Sequence, residues 1–147
     1  MKRKILIMGL PGSGKTTLAE LLVPRINAVW FNADAVRSEI SSDLGFTAED
    51  RSEHARRMGK MCEFASKFGT FSVADFVCPT DEAREIFNAD ITIWVNRIEE
   101  GRFEDTNKMF QKPKNADLIL EEGTPKEWLS QVLDLLKSEL WDNKAPT

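Results

Sequence analysis

Short apolar runs alternate with longer stretches of helical periodicity along the chain. The runs cover residues 5–8, 28–31, 71–76, 91–95 and 117–120, and they are rich in apolar or β-branched residues, as strands are. Strands that alternate with helices predict a doubly wound, mainly parallel five-stranded α/β sheet. Sheets of this kind bind ligands at the carboxyl ends of their strands.

Two stretches carry the clearest helical patterns. Residues 47–68 place four apolar side chains on one face, which should pack against the sheet: Ala55, Met58, Cys62 and Ala65. The last helix is predicted to begin after an N-cap at Thr124, with Pro125 in its first turn, and to continue to about Leu140.

Length and composition indicate one soluble domain. The chain has 147 residues, a net charge of −4 and no apolar run near the roughly 20 residues that a membrane span needs. We expect a single domain over residues 1–141, a disordered tail at 142–147 and a cytoplasmic location, because the basic N-terminus lacks a signal-peptide pattern. Neither nucleic acid nor membrane is an expected partner. Cys62 and Cys78 lack metal-site spacing and are predicted to be free thiols.

The segment from Gly9 to Thr16 satisfies the P-loop pattern G-x-x-x-x-G-K-[ST] between a predicted strand and a predicted helix. Such a loop turns its amides toward phosphate oxygens, so the motif predicts ATP binding. Lys15 would reach the β- and γ-phosphates, and Thr16 would offer its hydroxyl to Mg²⁺. A glycine-rich turn without a ligand is the alternative, but it does not explain Lys-Thr at a helix start. The predicted nucleotide-binding residues are Gly9, Pro11, Gly12, Ser13, Gly14, Lys15, Thr16 and Thr17.

The rest of the chain favours a small-molecule kinase among P-loop proteins. Residues 106–109 contain Asn-Lys but lack the aspartate of the guanine-reading N-K-x-D pattern, which argues against a switch GTPase. A chain of this length also leaves little room for the added modules of motor or remodelling ATPases.

Two further segments resemble the adenylylsulfate kinases. Residues 32–37 read N-A-D-A-V-R and residues 43–57 read D-L-G-F-T-A-E-D-R-S-E-H-A-R-R, against D-G-D-N-V-R and D-L-G-F-S-x-E-D-R-x-E-N-x-R-R in that family. With the P-loop, the resemblance spans roughly the first half of the chain. It implies a five-stranded parallel sheet with a mobile lid. It also implies Mg²⁺-dependent transfer of the γ-phosphoryl of ATP to the 3′-hydroxyl of adenosine 5′-phosphosulfate, a reaction of sulfate assimilation.

The resemblance assigns roles on the acceptor side. Asp34, after the second strand, could accept the hydroxyl proton or hold a Mg²⁺-bound water; the alternative is that it only caps a helix. Arg37 and Arg51 match arginines that bind the phosphosulfate, with surface salt bridges as the alternative. Phe46 matches an aromatic residue that lines the acceptor nucleotide, with a core position as the alternative.

Other positions depart from the family pattern. His54 stands where the family has asparagine, and it could instead be a structural or surface residue. Phe76 and Cys78 belong to F-V-C-P where the family has F-I-S-P, so a thiol replaces the serine hydroxyl. We predict acceptor contacts for all three. Asp75 is predicted to hold a Mg²⁺-bound water, with a solvated strand end as the alternative.

The lid shows the largest departure, because residues 99–110 replace the D-P-K-G-L-Y segment of the family. Arg102 is predicted to stabilise the transferring phosphoryl group, with Lys108 as an alternative. Phe110 loosely matches the phenylalanine that closes on the acceptor's adenine.

The predicted reaction is in-line transfer with Lys15 and Asp34 as catalytic residues. Two other functions stay open at this stage. One is a kinase for another small hydroxyl compound, such as a sugar, nucleoside or antibiotic; the other is a nucleotide-binding regulatory protein without efficient transfer. A homodimer is also left open.

Overall fold

The computed structural model describes residues 3–97 and 108–142. Within them, five parallel strands form one sheet in the order β2-β3-β1-β4-β5. The predicted five-stranded parallel sheet is confirmed, and each strand end either matches the predicted one or differs from it by one residue. The strands are β1 (Lys4–Met8), β2 (Val29–Asn32), β3 (Ser72–Asp75), β4 (Ile91–Val95) and β5 (Leu118–Leu120).

Every helix of the described part except the first begins after a side chain that caps it. Threonine or asparagine side chains at Asn32, Thr47, Thr80 and Thr124 accept a hydrogen bond from the amide three residues on. The predicted N-cap at Thr124 is therefore confirmed, while residues 143–147 of the predicted tail lie outside the described residues. The helices are α1 (Lys15–Ile26), α2 (Ala33–Glu39), α3 (Ala48–Ser66), α4 (Asp81–Phe87) and α5 (Pro125–Asp142). No helix in the described ranges has the length and apolar character needed to cross a membrane.

The sheet separates two apolar clusters. Strand β1 is central and buried throughout, so its alternate side chains serve both faces, as expected of a strand covered on both sides. Ile5 and Ile7 join the cluster beneath α1 and α5, which contains Trp128. Leu6 and Met8 join the cluster beneath α3 and α4. The alternation explains why the first strand reads as an unbroken apolar run.

The strand order brings the carboxyl ends of β1, β3 and β2 together. In the register, Asp75 at the end of β3 pairs with Ile7 of β1 and with Asn32 of β2. The loop after β1 and the start of α2 after β2 therefore flank the same strand end. This edge of the sheet is where a doubly wound fold binds its ligands.

Gly59 lets α3 approach α4 closely. A Cβ atom there would lie 2.9 Å from the Phe87 carbonyl oxygen and 3.2 Å from its Cα, both backbone atoms that cannot rotate away. We predict that Gly59→Ala lowers the free energy of unfolding by about 1–2 kcal/mol, since overpacking outweighs the gain in helix propensity.

Chemical denaturation measures this change. Lys60→Ala is the matched control, because the neighbouring Lys60 side chain is 67% exposed and its loss should cost under about 0.5 kcal/mol. An unchanged or raised stability of Gly59→Ala would contradict the packing account.

Candidate active site

The backbone of the loop after β1 adopts conformations that favour glycine over other residues. Gly9, Gly12 and Gly14 adopt φ angles of +152°, +84° and +111°. A Cβ atom on Gly9 would also lie 2.5 Å from the Val95 carbonyl oxygen at the end of β4. One on Gly14 would lie 3.0 Å from the buried Trp128 ring. The loop is thus tightly packed between β4 and α5. This packing fixes the shape of the loop without a ligand.

Polar groups suited to an anion line this loop. Lys15 is buried, and its ammonium donates to the Leu10 carbonyl at 3.0 Å. The Ser13 hydroxyl is also buried and has no hydrogen-bond partner among the described residues. The first turn of α1 has no side-chain cap from Gly14, so its amides are suited to phosphate oxygens. Of the other predicted nucleotide-binding residues, Pro11 is half-buried, and Thr16 and Thr17 are exposed in α1.

Asp75 joins the loop to the neighbouring strand. Its carboxylate is 2% exposed and accepts hydrogen bonds from Thr16 Oγ1 at 2.9 Å, from Trp30 Nε1 at 2.8 Å and from Asn32 Nδ2 at 3.1 Å. Burial raises the pKa of Asp75, while these donors and the charge of Lys15 act in the opposite direction. The alternative of a solvated strand end is therefore wrong.

Thr16 and Asp75, the predicted metal residues, are in direct contact. A hydroxyl and a carboxylate are oxygen ligands of the kind that Mg²⁺ prefers, and Mg²⁺ usually completes its shell with phosphate oxygens and water. The pair therefore fits a nucleotide-bound Mg²⁺. No group of three or more His, Cys, Asp or Glu side chains in residues 3–97 and 108–142 could hold a metal by itself.

Asn32 also places Asp34 at the same edge. Its Oδ1 accepts the Ala35 amide at 3.0 Å and caps α2, while its Nδ2 holds Asp75. The alternative that Asp34 only caps this helix is wrong, because Asn32 does so. We call Asp75 and its three donors, Thr16, Trp30 and Asn32, the hub on Asp75. Asp34 is exposed in the first turn of α2, two residues after Asn32.

The arginine–phenylalanine cluster, formed by Arg37, Phe46 and Arg51, lies between α2 and α3. The guanidinium carbons of Arg37 and Arg51 are 4.4 and 5.5 Å from the centroid of the Phe46 ring. Hydrogen bonds to the carbonyls of Gly45 at 2.8 Å and Phe46 at 3.0 Å anchor the two arginines. Burial, and then the charge of Arg51, lowers the pKa of Arg37.

Phe46 is 66% exposed, so the alternative of a core position is wrong. Neither arginine of the cluster forms a salt bridge within the part of the chain that the structure describes. The cluster therefore presents an aromatic ring and two cations at the surface, a combination suited to an anionic aromatic ligand.

His54 and Phe76 are buried and their rings are in contact. Their ring centroids are 6.0 Å apart in an edge-on arrangement, and His54 is 3% exposed. Both imidazole nitrogens lack a hydrogen-bond partner among the described residues. Burial, followed by the charges of Arg37 and Arg57, lowers the pKa of His54 to about 4. His54 is thus a neutral interior residue, and the alternative of a surface residue is wrong.

Cys78 and Phe110 pack nearby. Cys78 is fully buried, has φ +46°, and burial raises the pKa of its thiol to about 12. The thiol therefore does not open onto the cleft in this structure. The Phe110 ring lies against Trp94, with centroids 6.2 Å apart. The predicted acceptor contacts of both residues stay predictions.

The predicted lid cation, Arg102, lies outside the described residues, while Lys108 is exposed at the start of the next described segment. Sequence reasoning missed the roles of Trp30 and Asn32 on Asp75 and of Trp128 beneath the P-loop. The position of Asn32, directly before the A-D-A-V-R stretch that begins α2, was the one available signal.

The parallel sheet and the P-loop define the class of P-loop nucleotide-binding proteins. The model of the family described as adenylylsulphate kinase matches residues 2–99. The chain therefore belongs to the adenylylsulphate kinase family, whose members are ATP-dependent small-molecule kinases. The family resemblance seen in the sequence is confirmed.

Curated relatives agree with this assignment, and a solved structure shows the same fold. The adenylyl-sulfate kinase of Bacillus velezensis is 26% identical, over 91% of this chain and 84% of the relative. The bifunctional enzyme CysN/CysC of Xylella fastidiosa is 30% identical over 89% of this chain, which spans only 26% of that longer protein. The APS kinase CysC of Mycobacterium tuberculosis has the same fold, with a TM-score of 0.80, 22% identity, and coverage of 93% of this chain and 99% of that one.

His54 should make stability depend on pH. Its folded pKa of about 4 lies below the usual 6.5, so the unfolded chain takes up the proton first as the pH falls. We predict that the free energy of unfolding decreases by roughly 2 kcal/mol between pH 7 and pH 5. Urea denaturation at both pH values measures it.

His54→Asn is the control, because His54 is the single histidine and asparagine does not titrate in this range. The decrease should be largely absent in this variant. An equal decrease in the variant would show that another group causes the pH dependence.

Proposed function

We propose that this chain transfers the γ-phosphoryl group of ATP to the 3′-hydroxyl of adenosine 5′-phosphosulfate, with Mg²⁺. The observation that carries the proposal is the hydrogen-bonded path from Thr16 through Asp75 to Asn32. It connects the loop that would bind the nucleotide to the helix that bears Asp34 and Arg37. Donor and acceptor sites would therefore meet at one edge of the sheet.

The arginine–phenylalanine cluster supports an anionic nucleotide as the acceptor. The exposed ring of Phe46 can stack on a base, and guanidinium groups form paired hydrogen bonds with oxyanions. A neutral sugar would leave these two half-buried guanidinium groups without an anionic ligand to bind. The Mycobacterium tuberculosis relative of the same fold was solved with AMPPNP and APS, which agrees with such an acceptor.

Each residue of the site has a defined task in this reaction. The P-loop amides and Lys15 would hold the phosphate oxygens of ATP, and Thr16 and Asp75 would hold Mg²⁺. When bound, Mg²⁺ neutralises charge on those oxygens. Asp34 would orient the acceptor hydroxyl and take its proton. The acceptor oxygen forms a bond to the γ-phosphorus as the bond to the β,γ-bridging oxygen breaks, and ADP leaves.

Acceptor-dependent ADP release tests the reaction. We expect ADP release from Mg²⁺-ATP to rise at least about tenfold on addition of adenosine 5′-phosphosulfate. Lys15→Ala, with its fold checked by circular dichroism, should reduce turnover by at least about 10³-fold because it removes the cation on the transferring group. Confirmed ATP binding without stimulation of ADP release would reject adenosine 5′-phosphosulfate as the acceptor. A panel of sugars and nucleosides would then identify the acceptor.

Asp34→Asn tests the proposed base. The amide keeps the size of the side chain but cannot take a proton, so kcat should fall by about 10²–10⁴-fold. Glu39→Gln is the matched control, because Glu39 is an exposed carboxylate at the other end of α2. Near-normal turnover by Asp34→Asn would remove Asp34 from the mechanism.

A further inference from the structure

Arg84 of α4 binds two stretches of chain that are distant in sequence, one at residues 78–81 and the other at residue 111. Its side chain is only 12% exposed. Nε donates to the Cys78 carbonyl at 3.1 Å, Nη1 to Asp81 Oδ1 at 2.9 Å, and Nη2 to the Gln111 carbonyl. One guanidinium therefore connects the exit of β3, the start of α4 and the segment at Gln111.

Gln111 binds back to the same turn. The backbone amide of Gln111 donates to the Pro79 carbonyl at 2.7 Å. Its side-chain Oε1 accepts a hydrogen bond from the backbone amide of Asp81 at 2.8 Å. The Asp81 amide belongs to the first turn of α4, where helical hydrogen bonds are missing. We call the set formed by Pro79, Asp81, Arg84 and Gln111 the Arg84–Gln111 clamp.

The clamp also places two residues for which we predict acceptor contacts. The guanidinium carbon of Arg84 lies 5.4 Å from the centroid of the Phe110 ring, which packs on Trp94 from another direction. Cys78 has a positive φ of 46°, which is unfavourable for a residue with a side chain. The Arg84 bond to the Cys78 carbonyl stabilises that backbone. Arginine suits this task because it combines a planar set of donors with stacking on a ring.

We propose that Arg84 is a positioning residue for the acceptor side of the site, which it serves by holding the Cys78 backbone and Phe110 in one arrangement through the clamp. The inference rests on the proposed function, since it assigns Phe110 and the turn after β3 to the acceptor. The hydrogen bonds and ring contact of Arg84 in the described residues involve Cys78, Asp81, Phe110 and Gln111, and none involves the P-loop. Arg84 should therefore affect the acceptor and spare ATP.

Steady-state kinetics test the functional half of the proposal. Arg84→Met retains an unbranched side chain like the aliphatic part of arginine but removes every hydrogen-bond donor. Its KM for adenosine 5′-phosphosulfate should rise by about tenfold or more, while kcat and the KM for ATP stay within about twofold. Arg84→Lys should recover only part of the loss. Arg25→Met, at an exposed arginine in the last turn of α1, is the matched control and should leave all three constants unchanged.

Hydrogen exchange tests the clamp without any activity. The amides of Asp81 and Gln111 should exchange at least about tenfold faster in Arg84→Met than in the unmodified chain, with the β1 amides unchanged. Gln111→Met is a second variant, at an exposed side chain, should Arg84→Met fail to fold. It removes the acceptor of the Asp81 amide and should likewise raise the acceptor KM.

The two readouts separate the outcomes. Faster exchange at both amides together with a raised acceptor KM supports the proposal. Faster exchange with an unchanged acceptor KM overturns it, because the clamp would then be purely structural. A raised KM with unchanged exchange also overturns it, because Arg84 would then act on the acceptor directly. Absence of acceptor-dependent turnover in the unmodified chain would instead reject the proposed function, while the exchange data would still report on the clamp.

Discussion

The candidate site depends on a buried carboxylate at the end of β3. A charged group removed from water destabilises a protein unless polar partners surround it. Asp75 meets this requirement with donors from Thr16, Trp30 and Asn32, which come from α1 and from β2. These elements must keep their relative positions for the carboxylate to stay satisfied. The requirement therefore fixes the geometry of the P-loop relative to α2.

This constraint gives the site two halves with different characters. The half that would bind the nucleotide is tightly packed, because glycines in the P-loop lie against the backbone of β4 and the ring of Trp128. The half that we propose for the acceptor contains longer side chains, those of the arginine–phenylalanine cluster and of the Arg84–Gln111 clamp. A fold of this kind serves many acceptors, so under the proposed function the choice of acceptor depends on the second half.

Local patterns predicted much of this architecture. The P-loop and the five strands could be predicted because their signals lie within a few consecutive residues, and β1 reads as apolar since both of its faces are buried. The hub on Asp75 could not, because it arises where β2, β3 and β1 become neighbours, and sequence alone does not give that register. The choice between Asn32 and Asp34 as the cap also depended on where β2 ends, one residue later than the pattern indicated. The burial of His54 follows from packing against Phe76, which is distant in sequence.

The proposed function requires that the γ-phosphoryl group of ATP reaches the 3′-oxygen of an anionic nucleotide. Phosphorus-31 NMR of a reaction with Mg²⁺-ATP and adenosine 5′-phosphosulfate tests it most directly, because it identifies the oxygen that carries the new phosphate. We predict a new phosphomonoester resonance coupled to the ribose 3′-proton, growing in step with ADP. ADP and inorganic phosphate as the only new products, or an unchanged spectrum, would contradict the proposal.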